Sequence, residues 1–511
     1  MNAKTTSQRV RQSMFSLLIG RPLSAVGGLL LLILLSRFLA PVEYGGYFAA
    51  WALIEIVVLA SNCGLLHAVY RFVHASESLS GEIRPSGPVW RLFGWRVLSL
   101  ALPALLLCLL SPSWLIERGL ASALAACVPW LAAIMLAEGL ARFIEAIFDS
   151  MLCQGRSQLT LTLRTLLRLG GVALLLMQGP LTLVGVLLVE VFATAAGALI
   201  GLGLLVQLWF KSAVASSATA APDLRRMVRF SLPAYAAQVL GLGYGPDALK
   251  LVLAGVAGSA VLAVFGFAYS LAAVVQRYMP ANLLAGVFRP VFVAAARRED
   301  AATVLPGLVG LCVKLNWLLI LPLLAAAVLG GDRVLSLVSG GAYPQAGITL
   351  ALILAGLLMV AVHQTLSLYC LAREDSWPPL FATAASLVAL PAGIWLAKTW
   401  GAAGIALAFG LSELVWSVVC YGILRHRQGI LRGIDFGGLA RMLLAVLLAL
   451  CPWLLRDWFA LDGLLLGGLA GGLALLACWL LRPFCAQELQ WLQTVFPVLG
   501  RFVFIKEGAK A

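Results

Sequence analysis

The chain has 511 residues, of which 62% are hydrophobic and only 11% are charged. Its mean hydropathy is +0.99. A soluble protein of this size carries far more charge, so the composition excludes the soluble classes and predicts a polytopic membrane protein. The net charge of +14 fits cytoplasmic loops that contact anionic lipid. We therefore predict membrane lipids, and no nucleic acid, as partners.

Apolar runs of about 20 residues recur along the chain, and a helix of that length crosses ~30 Å of hydrocarbon. The runs predict an all-α fold of about fourteen transmembrane helices. Twelve is the alternative number, because the break at Gly179-Pro180 is the least secure. The predicted spans are 14–39, 45–72, 92–111, 120–148, 161–178, 181–210, 229–254, 260–286, 304–330, 346–371, 379–398, 402–424, 437–455 and 463–481.

Several short sequence features recur at an offset of about 217 residues, which indicates a duplicated unit. Phe15–Leu17 returns as Phe230–Leu232, and Cys153 returns as Cys370. A half with an even number of spans enters the membrane from the same side as its copy, so the repeat is predicted to be parallel. The predicted domains are two six-helix lobes at 1–212 and 213–428, a terminal helix pair at 429–482 and an amphipathic cytoplasmic tail at 483–511.

Positive charge predicts the orientation of the spans. If the N-terminus is cytoplasmic, the inside segments hold most of the lysines and arginines, which predicts that both termini are cytoplasmic. The inside residues include Arg71, Arg84, Arg91, Arg156, Arg164, Arg225 and Arg425. The outside segments keep only Arg37, Arg118, Arg333, Lys398 and Arg456.

The sequence contains no recognisable motif for a metal, a nucleotide or a redox centre. Its ten cysteines form no C-x-x-C pair and its four histidines form no H-x-x-H pair. There is no Gly-x-x-x-x-Gly-Lys loop, which argues against an ATP-driven pump. We therefore predict no metal and no cofactor.

Four cations fall inside predicted spans, where a charge is costly and needs an explanation. They are Arg21, Lys250, Arg277 and Lys314. Together they predict a water-filled basic cavity for an anionic ligand, because arginine can hold a phosphate through two hydrogen bonds. The alternative is that some of them reach an interface or pair with a neighbouring carboxylate.

Four carboxylates also fall inside predicted spans: Glu55, Glu190, Asp247 and Glu413. Glu190 and Glu413 occupy corresponding spans of the two halves. These groups are candidates for coupling transport to a proton or Na⁺, and the alternative is that they neutralise the buried cations. His363 could titrate near neutral pH, but a hydrogen-bonded core histidine is the favoured interpretation.

One further span carries Glu138, Arg142, Glu145 and Asp149 at spacings of four, three and four. This spacing puts the four side chains on one helical face. The stripe could line a vestibule, but a structural ion-pair network with another helix is favoured.

The seventh span is interrupted by Gly243, Gly245 and Pro246, with Asp247 and Lys250 directly after them. Glycine loosens a helical turn and proline removes a backbone donor, so a kink or an unwound turn is predicted here. Broken helices in membranes line cavities, and we predict a hinge. Asp247 and Lys250 are also close enough to neutralise each other.

The segment Ser36–Gly45, S-R-F-L-A-P-V-E-Y-G, resembles the R-x-L-x-P-x-E-Y-G signature of polysaccharide-export proteins. These proteins belong to the multidrug/oligosaccharidyl-lipid/polysaccharide flippase superfamily. Gly64 and Arg71 fit the same pattern, and Leu152–Arg156 resembles the family's link between its fourth and fifth helices.

The resemblance implies two six-helix lobes around a central cavity that opens alternately to each side of a bacterial inner membrane. It implies a flippase with no catalytic residues, which moves an undecaprenyl-pyrophosphate-linked oligosaccharide to the outer leaflet for lipopolysaccharide or exopolysaccharide synthesis. The implied partners are that lipid-linked oligosaccharide, a polysaccharide polymerase and export machinery.

Two alternatives stay open. A drug/cation antiporter of the same superfamily prefers an acidic cavity, and Glu55, Glu190 and Asp247 are compatible with one. A membrane polysaccharide polymerase or ligase usually acts from a large outer loop. The outer links here are short, with only Glu43 in residues 40–43, which disfavours an enzyme.

Overall fold

The structure is a computed structural model of the full chain. It describes residues 3–73, 75–77, 83–85, 89–109, 125, 127–151, 153–211, 224–283, 292, 295–296, 301–373, 375, 377–428, 434–455 and 462–495. The chain divides into two compact units, Met1–Ala263 and Val264–Ala511. Each unit is described separately below.

The N-terminal unit is built from long helices joined by short links. A hairpin of two three-residue strands is the only sheet among the described residues, and it pairs Ser76 with Arg84 in antiparallel register. The elements are α1 (Ala3–Phe38), α2 (Pro41–Ala60), α3 (Leu65–Phe72), β1 (Ala75–Glu77), β2 (Ile83–Pro85), α4 (Val89–Leu109), α5 (Val128–Ser150), α6 (Gln154–Gln178), α7 (Leu183–Lys211), α8 (Leu224–Leu242), α9 (Pro246–Ala257) and the start of α10 (Ser259–Tyr278).

The C-terminal unit contains the rest of α10 and the helices that follow it. These are α11 (Pro280–Leu283), α12 (Ala301–Ser339), α13 (Gly347–Ala372), α14 (Trp377–Ser386), α15 (Ala389–Gln428), α16 (Phe436–Ala449), a 3₁₀ turn (Cys451–Leu455), α17 (Gly463–Leu481) and α18 (Ala486–Val495).

The helices confirm the predicted all-α, multi-pass membrane class. Within the described ranges, 11 helices are long and apolar enough to cross a membrane, and one of them, Trp377–Arg427, covers two predicted spans. The helix α5 is not among the 11, because its charged stripe interrupts the apolar run. Where the structure describes them, the fourteen predicted spans fall mainly on helices, but several are interrupted: the span 45–72, for example, is divided between α2 and α3.

The signature segment has a structural role in the N-terminal unit. Tyr44 is completely buried at the start of α2. A Cβ at Gly45 would lie 1.7 Å from the carbonyl oxygen of Ser259, which no side chain can satisfy. Glycine is therefore required here for α2 to meet the start of α10. Elsewhere in the unit, α5 packs against α2, α4, α6 and α7.

In the C-terminal unit, α12 packs against α13, α16 and α17, and α13 packs against α15. The helix α15 is kinked at Gly401, where φ is 55° and ψ is −126°. A side chain rarely adopts this conformation, so glycine permits the kink. The kink lies between the predicted spans 379–398 and 402–424.

Candidate functional site: a buried charge network

Charged side chains from three other helices of the N-terminal unit converge on α5. The helix presents Glu138, Arg142 and Glu145 on one face, and α6 presents Arg164 and Arg168 one turn apart. Glu55 on α2 and Glu190 on α7 complete the set. Because α5 packs against α2, α6 and α7, these polar faces meet inside the helix bundle. We call these seven side chains the charge network.

Glu138 is the centre of the charge network and is 4% exposed. Its Oε1 accepts a hydrogen bond from Nε of Arg142 at 2.7 Å. Its Oε2 accepts from Nη1 of Arg164 at 2.7 Å and from Nη2 of Arg168 at 3.1 Å. One carboxylate thus neutralises parts of three guanidinium groups, which lowers the cost of burying them.

Arg142 and Glu55 form the most open edge of the network. Nη1 and Nη2 of Arg142 donate to Oε2 and Oε1 of Glu55 at 2.6 and 2.5 Å, so the two planar groups face each other as a fork. The side chains are 35% and 24% exposed. A fork of this kind fits a phosphate as well as a carboxylate.

On another side of Glu138, Arg164 also donates to Glu145. The Arg164 side chain is 2% exposed, and it fits because α7 has a glycine opposite it. A Cβ at Gly197 would lie 2.2 Å from Cγ of Arg164 and 2.5 Å from its Cδ. Any larger residue at position 197 must therefore displace the arginine.

Arg168 connects the network to Glu190. Its Nε lies 2.6 Å from Oε2 of Glu190, as an ion pair without hydrogen-bond geometry. The hydroxyl of Tyr47 donates to Oε1 of Glu190 at 3.0 Å. The guanidinium of Arg168 also lies over the Trp51 ring, 5.2 Å from its centroid.

The network holds four carboxylates and three arginines, so it carries one more potential negative charge than positive charge. A surplus carboxylate in an apolar bundle favours uptake of a proton or a small cation. No group of three His, Cys, Asp or Glu side chains in the described chain is arranged to hold a metal ion. Arginine pairs of this kind can exchange a carboxylate for another anion, because guanidinium binds both through the same N–H groups.

Lys314, predicted to bind an anionic ligand, is enclosed in the C-terminal unit and is 0% exposed. Its Nζ donates to Oδ2 of Asp435 at 2.8 Å and to Oε2 of Glu488 at 2.7 Å. Burial raises the pKa of Asp435, but the hydrogen bonds from Lys314 and the Gly438 amide outweigh it, so the pKa lies below its usual value. In this conformation the ammonium group is bound by two carboxylates. Its bond to Glu488 holds the start of α18 against α12.

The seventh span is interrupted at residues 243–245, between the end of α8 at Leu242 and the start of α9 at Pro246. Pro246 occupies the first turn of α9, where a missing N–H costs nothing. Nζ of Lys250 donates to Oδ1 of Asp247 at 2.7 Å, so these two predicted site residues pair with each other. The hinge itself stays a prediction.

The remaining predicted site residues have different surroundings. Oε2 of Glu413 lies 2.7 Å from Nδ1 of His363, whose ring stacks on Trp416 with centroids 3.6 Å apart. Arg277 is exposed in the last turn of α10. The side chain of Arg21 lies outside the described residues. Of the predicted site, the structure thus brings together Glu55 and Glu190, with the α5 stripe between them.

Sequence reasoning missed the two arginines that hold the network together. The charge pattern places Arg164 in a cytoplasmic segment, and Arg168 is not among the predicted site residues. The signal was present, because the two arginines are four residues apart inside an apolar run, as the charges of the α5 stripe are. Two helices with matching charge spacing predict a shared polar face.

Comparison with known proteins identifies the family. The model of the family described as "Polysaccharide biosynthesis protein" matches residues 10–295, more than half of the chain. The chain belongs to this family. None of the curated proteins matches the sequence significantly.

Several solved structures have a similar fold. The lipid II flippase MurJ, in an inward closed conformation, is 13% identical, with a TM-score of 0.59 over 90% of this chain and 96% of that one. The MATE multidrug transporter DinF-BH is 13% identical, with a TM-score of 0.59 over 84% and 98%. An inward-facing MATE family transporter is 15% identical, with a TM-score of 0.55 over 81% and 96%. The chain therefore has the fold that these solved structures share.

Proposed function

We propose that this protein is a flippase for a lipid-linked oligosaccharide. It moves the glycan and its pyrophosphate head from the inner to the outer leaflet of the bacterial cytoplasmic membrane by alternating access, and both termini are cytoplasmic. The family supports a role in polysaccharide synthesis, and the fold supports transport. On the outer face the cargo passes to a polysaccharide polymerase and the export machinery.

The observation that carries this proposal is the fork between Arg142 and Glu55 at the exposed edge of the charge network. Arginine binds phosphate with the same two N–H groups that it offers to a carboxylate. The pyrophosphate head can therefore replace Glu55 on Arg142 without leaving the guanidinium unpaired.

Displacement of Glu55 also gives transport a means of coupling to protons. A carboxylate that loses its arginine in an apolar bundle gains affinity for a proton. The network already holds one carboxylate in excess of its arginines. Arrival of the anionic head and uptake of a proton are then linked events, and release of the head restores the original pairs.

Deletion of the gene tests the proposal. We expect undecaprenyl-pyrophosphate-linked oligosaccharide to accumulate in the inner leaflet and surface polysaccharide to disappear, with both reversed by the parent gene. Extraction and mass spectrometry of the lipid-linked intermediates identify the cargo. Unchanged levels of these intermediates, with normal surface polysaccharide, would contradict the assignment.

The second candidate function is drug or cation antiport, which the carboxylate surplus of the network favours. An antiporter binds cations in an acidic cavity and exchanges them for protons. In that case the deletion strain becomes sensitive to cationic dyes while its lipid-linked intermediates stay normal. The same strain therefore separates the two functions.

A further inference from the structure

The link between α2 and α3 holds a thiol in an unusual setting. Cys63 is exposed and has a positive φ of 49°, which only Arg482 shares as a positive value among the non-glycine residues that the structure describes. A side chain rarely adopts this conformation, and residues that do adopt it often occur at functional sites. The next residue, Gly64, is the N-cap of α3, so the thiol lies at the positive end of that helix.

Two polar side chains from other helices lie beside this thiol. The guanidinium of Arg96 on α4 donates from Nη1 to Oγ of Ser61 at 3.3 Å and interacts electrostatically with Cys63. The hydroxyl of Tyr235 on α8 donates to the Ala60 carbonyl oxygen at 2.5 Å and is hydrogen-bonded to the Cys63 thiol. Cysteines that lie next to an arginine or at a helix N-terminus are the ones that react as nucleophiles. Cys63 has both features.

Cys63 also lines a groove of about 480 Å³ between the α2–α3 link, α4 and α8. The volume falls within the range of ~300–1,000 Å³ that is typical of ligand sites. Cys108 and Cys451 are the other exposed cysteines of the described chain, and neither lines this groove. The rest of the wall is mainly apolar and includes Leu65, Ala68, Leu92, Leu98, Leu102 and Met227. We call this feature the Cys63 groove.

The Cys63 groove has a second polar element beside the thiol. Ser231 lines the groove and is 5% exposed, yet its Oγ has no hydrogen-bond partner among the residues that the structure describes. It lies close to the link, because a Cβ at Gly64 would be 2.8 Å from Cβ of Ser231. A buried hydroxyl without a partner is costly and indicates a polar atom of a ligand. The ligand therefore needs an acceptor oxygen near Cys63 and an apolar body.

We propose that Cys63 is a modification site that carries a long-chain acyl group as a thioester. A thioester on Cys63 has both parts that the groove requires: its carbonyl oxygen accepts a hydrogen bond from Ser231, and its chain lies along the apolar wall. An oxidised sulfur provides no chain. Cys63 lies eight residues before Arg71, which is predicted to be cytoplasmic, and cysteines near that boundary are the usual sites of S-acylation. This inference goes beyond the proposed function and does not depend on it.

The transfer needs no oxidant and no metal. The sulfur of Cys63 attacks the carbonyl carbon of a fatty acyl thioester such as an acyl-coenzyme A, and a new carbon–sulfur bond forms. Negative charge develops on the carbonyl oxygen, where the hydroxyl of Ser231 is available to donate. The bond between that carbon and the sulfur of coenzyme A then breaks. The departing thiolate takes up the proton that Cys63 gave up, so the products are the acylated cysteine and free coenzyme A.

Metabolic labelling tests the proposal on the full chain. Cells that produce the protein are fed palmitic acid with a terminal alkyne, and the purified chain is coupled to a fluorophore. We expect label that neutral hydroxylamine removes, because it cleaves thioesters and leaves amides intact. Cys63→Ser should lower the label about tenfold. Cys108→Ser and Cys451→Ser are the matched controls, since these thiols are exposed but lie outside the groove lining, and both should keep the label.

A second measurement tests the roles of the groove and of Ser231. The purified full chain in phospholipid nanodiscs is mixed with palmitoyl-coenzyme A, and mass spectrometry follows acylation of Cys63 and of Cys108 in the same sample. We expect Cys63 to react about tenfold faster than Cys108, and this preference should vanish with acetyl-coenzyme A, which has no long chain. Ser231→Ala should slow acylation of Cys63 about tenfold, which corresponds to ~1.4 kcal/mol, and leave Cys108 unchanged. The comparison of chain lengths in the parent protein stands even if this variant does not fold.

Three outcomes would overturn the inference. If cells do not label the parent chain, Cys63 is not an acylation site, whatever the purified protein does. If Cys63→Ser keeps the label, another residue carries the acyl group. If Cys63 and Cys108 react equally fast with palmitoyl-coenzyme A, Cys63 is only an exposed thiol and the groove contributes nothing. The flippase proposal is unaffected by each of these results, because it depends on the charge network.

Discussion

In the N-terminal unit, three arginines and four carboxylates from four helices form one connected network, whereas the buried ion pairs described in the C-terminal unit are separate. There, His363 pairs with Glu413, and Lys314 pairs with carboxylates near the ends of other elements. A connected network can pass a change at one residue to the others, since each arginine has more than one partner. A separate pair mainly fixes two helices to each other.

The offset of about 217 residues pairs α5 with α13, and these two helices show the same contrast. Cys153 follows the end of α5, and its counterpart Cys370 lies near the end of α13. Counting back from these cysteines, the charges of α5 correspond to apolar residues of α13. Glu138, Arg142 and Glu145 correspond to Ala355, Met359 and Val362. If the halves are duplicated, α13 lacks the three charges that α5 carries at these positions. Superposition of the two halves stays a prediction.

The largest effect is expected from Glu138→Gln. The substitution removes the charge that neutralises Arg142, Arg164 and Arg168, and breaking a buried ion pair on one side costs ~3–5 kcal/mol. We expect a large fall in the thermal unfolding temperature in detergent and loss of export. Glu413→Gln is the matched control in the C-terminal unit, where a glutamine still bonds His363 and the cost is only ~1 kcal/mol. Equal destabilisation by the two substitutions would remove the contrast between the units.

A smaller effect on stability is expected from Lys314→Met, and a second substitution should reverse most of it. The substitution leaves Glu488 buried and unpaired, so unfolding should occur at a lower temperature. Adding Glu488→Leu should recover most of the loss, since an apolar pair of similar size replaces a buried ion pair at little cost. Export should follow stability in both proteins. If the stable double variant does not export, Lys314 contacts the cargo directly, as the sequence predicts.

Gly197→Ala tests whether the position of Arg164 matters. The new Cβ must push the arginine away from Glu138 and Glu145, which should cost ~1–3 kcal/mol of stability and reduce export. Gly203→Ala on the same helix is the control, because a Cβ there meets nothing within 4 Å. It should be neutral or slightly stabilising, since alanine favours the helix by up to ~1 kcal/mol. Identical behaviour of the two variants would show that the network tolerates displacement of Arg164.

The smallest effect on stability is expected at the break between α8 and α9. Gly243→Ala with Gly245→Ala should add ~1 kcal/mol of helical preference per position. If the break is a hinge, transport slows more than cargo binding weakens, and cysteine accessibility from the two sides of the membrane shifts to one side. Parental export and accessibility would mean that the break is only a static kink.

Much of the fold could be predicted from the sequence, because the length of an apolar helix has to match the thickness of the membrane. Where the structure describes them, the spans fell mainly on helices, and the break at Gly243–Pro246 follows from the conformational preferences of glycine and proline. The site was harder. The spacing of Asp247 and Lys250 predicts their pairing, which the structure contains. Lys314 gives no such signal, because its partner Glu488 lies 174 residues away along the chain. Long-range pairing depends on helix packing, which one sequence does not specify.

The central claim is that the arginine fork of the N-terminal unit handles the anionic head of a lipid-linked cargo. The most direct measurement is the amount of undecaprenyl-pyrophosphate-linked oligosaccharide in the inner leaflet of cells that carry Arg142→Gln at the parental protein level. Arg333→Gln is the control, since Arg333 pairs with Asp462 on an exposed surface. The account predicts accumulation of the intermediate with Arg142→Gln and parental amounts with Arg333→Gln. Parental amounts in both strains, with surface polysaccharide intact, would contradict it.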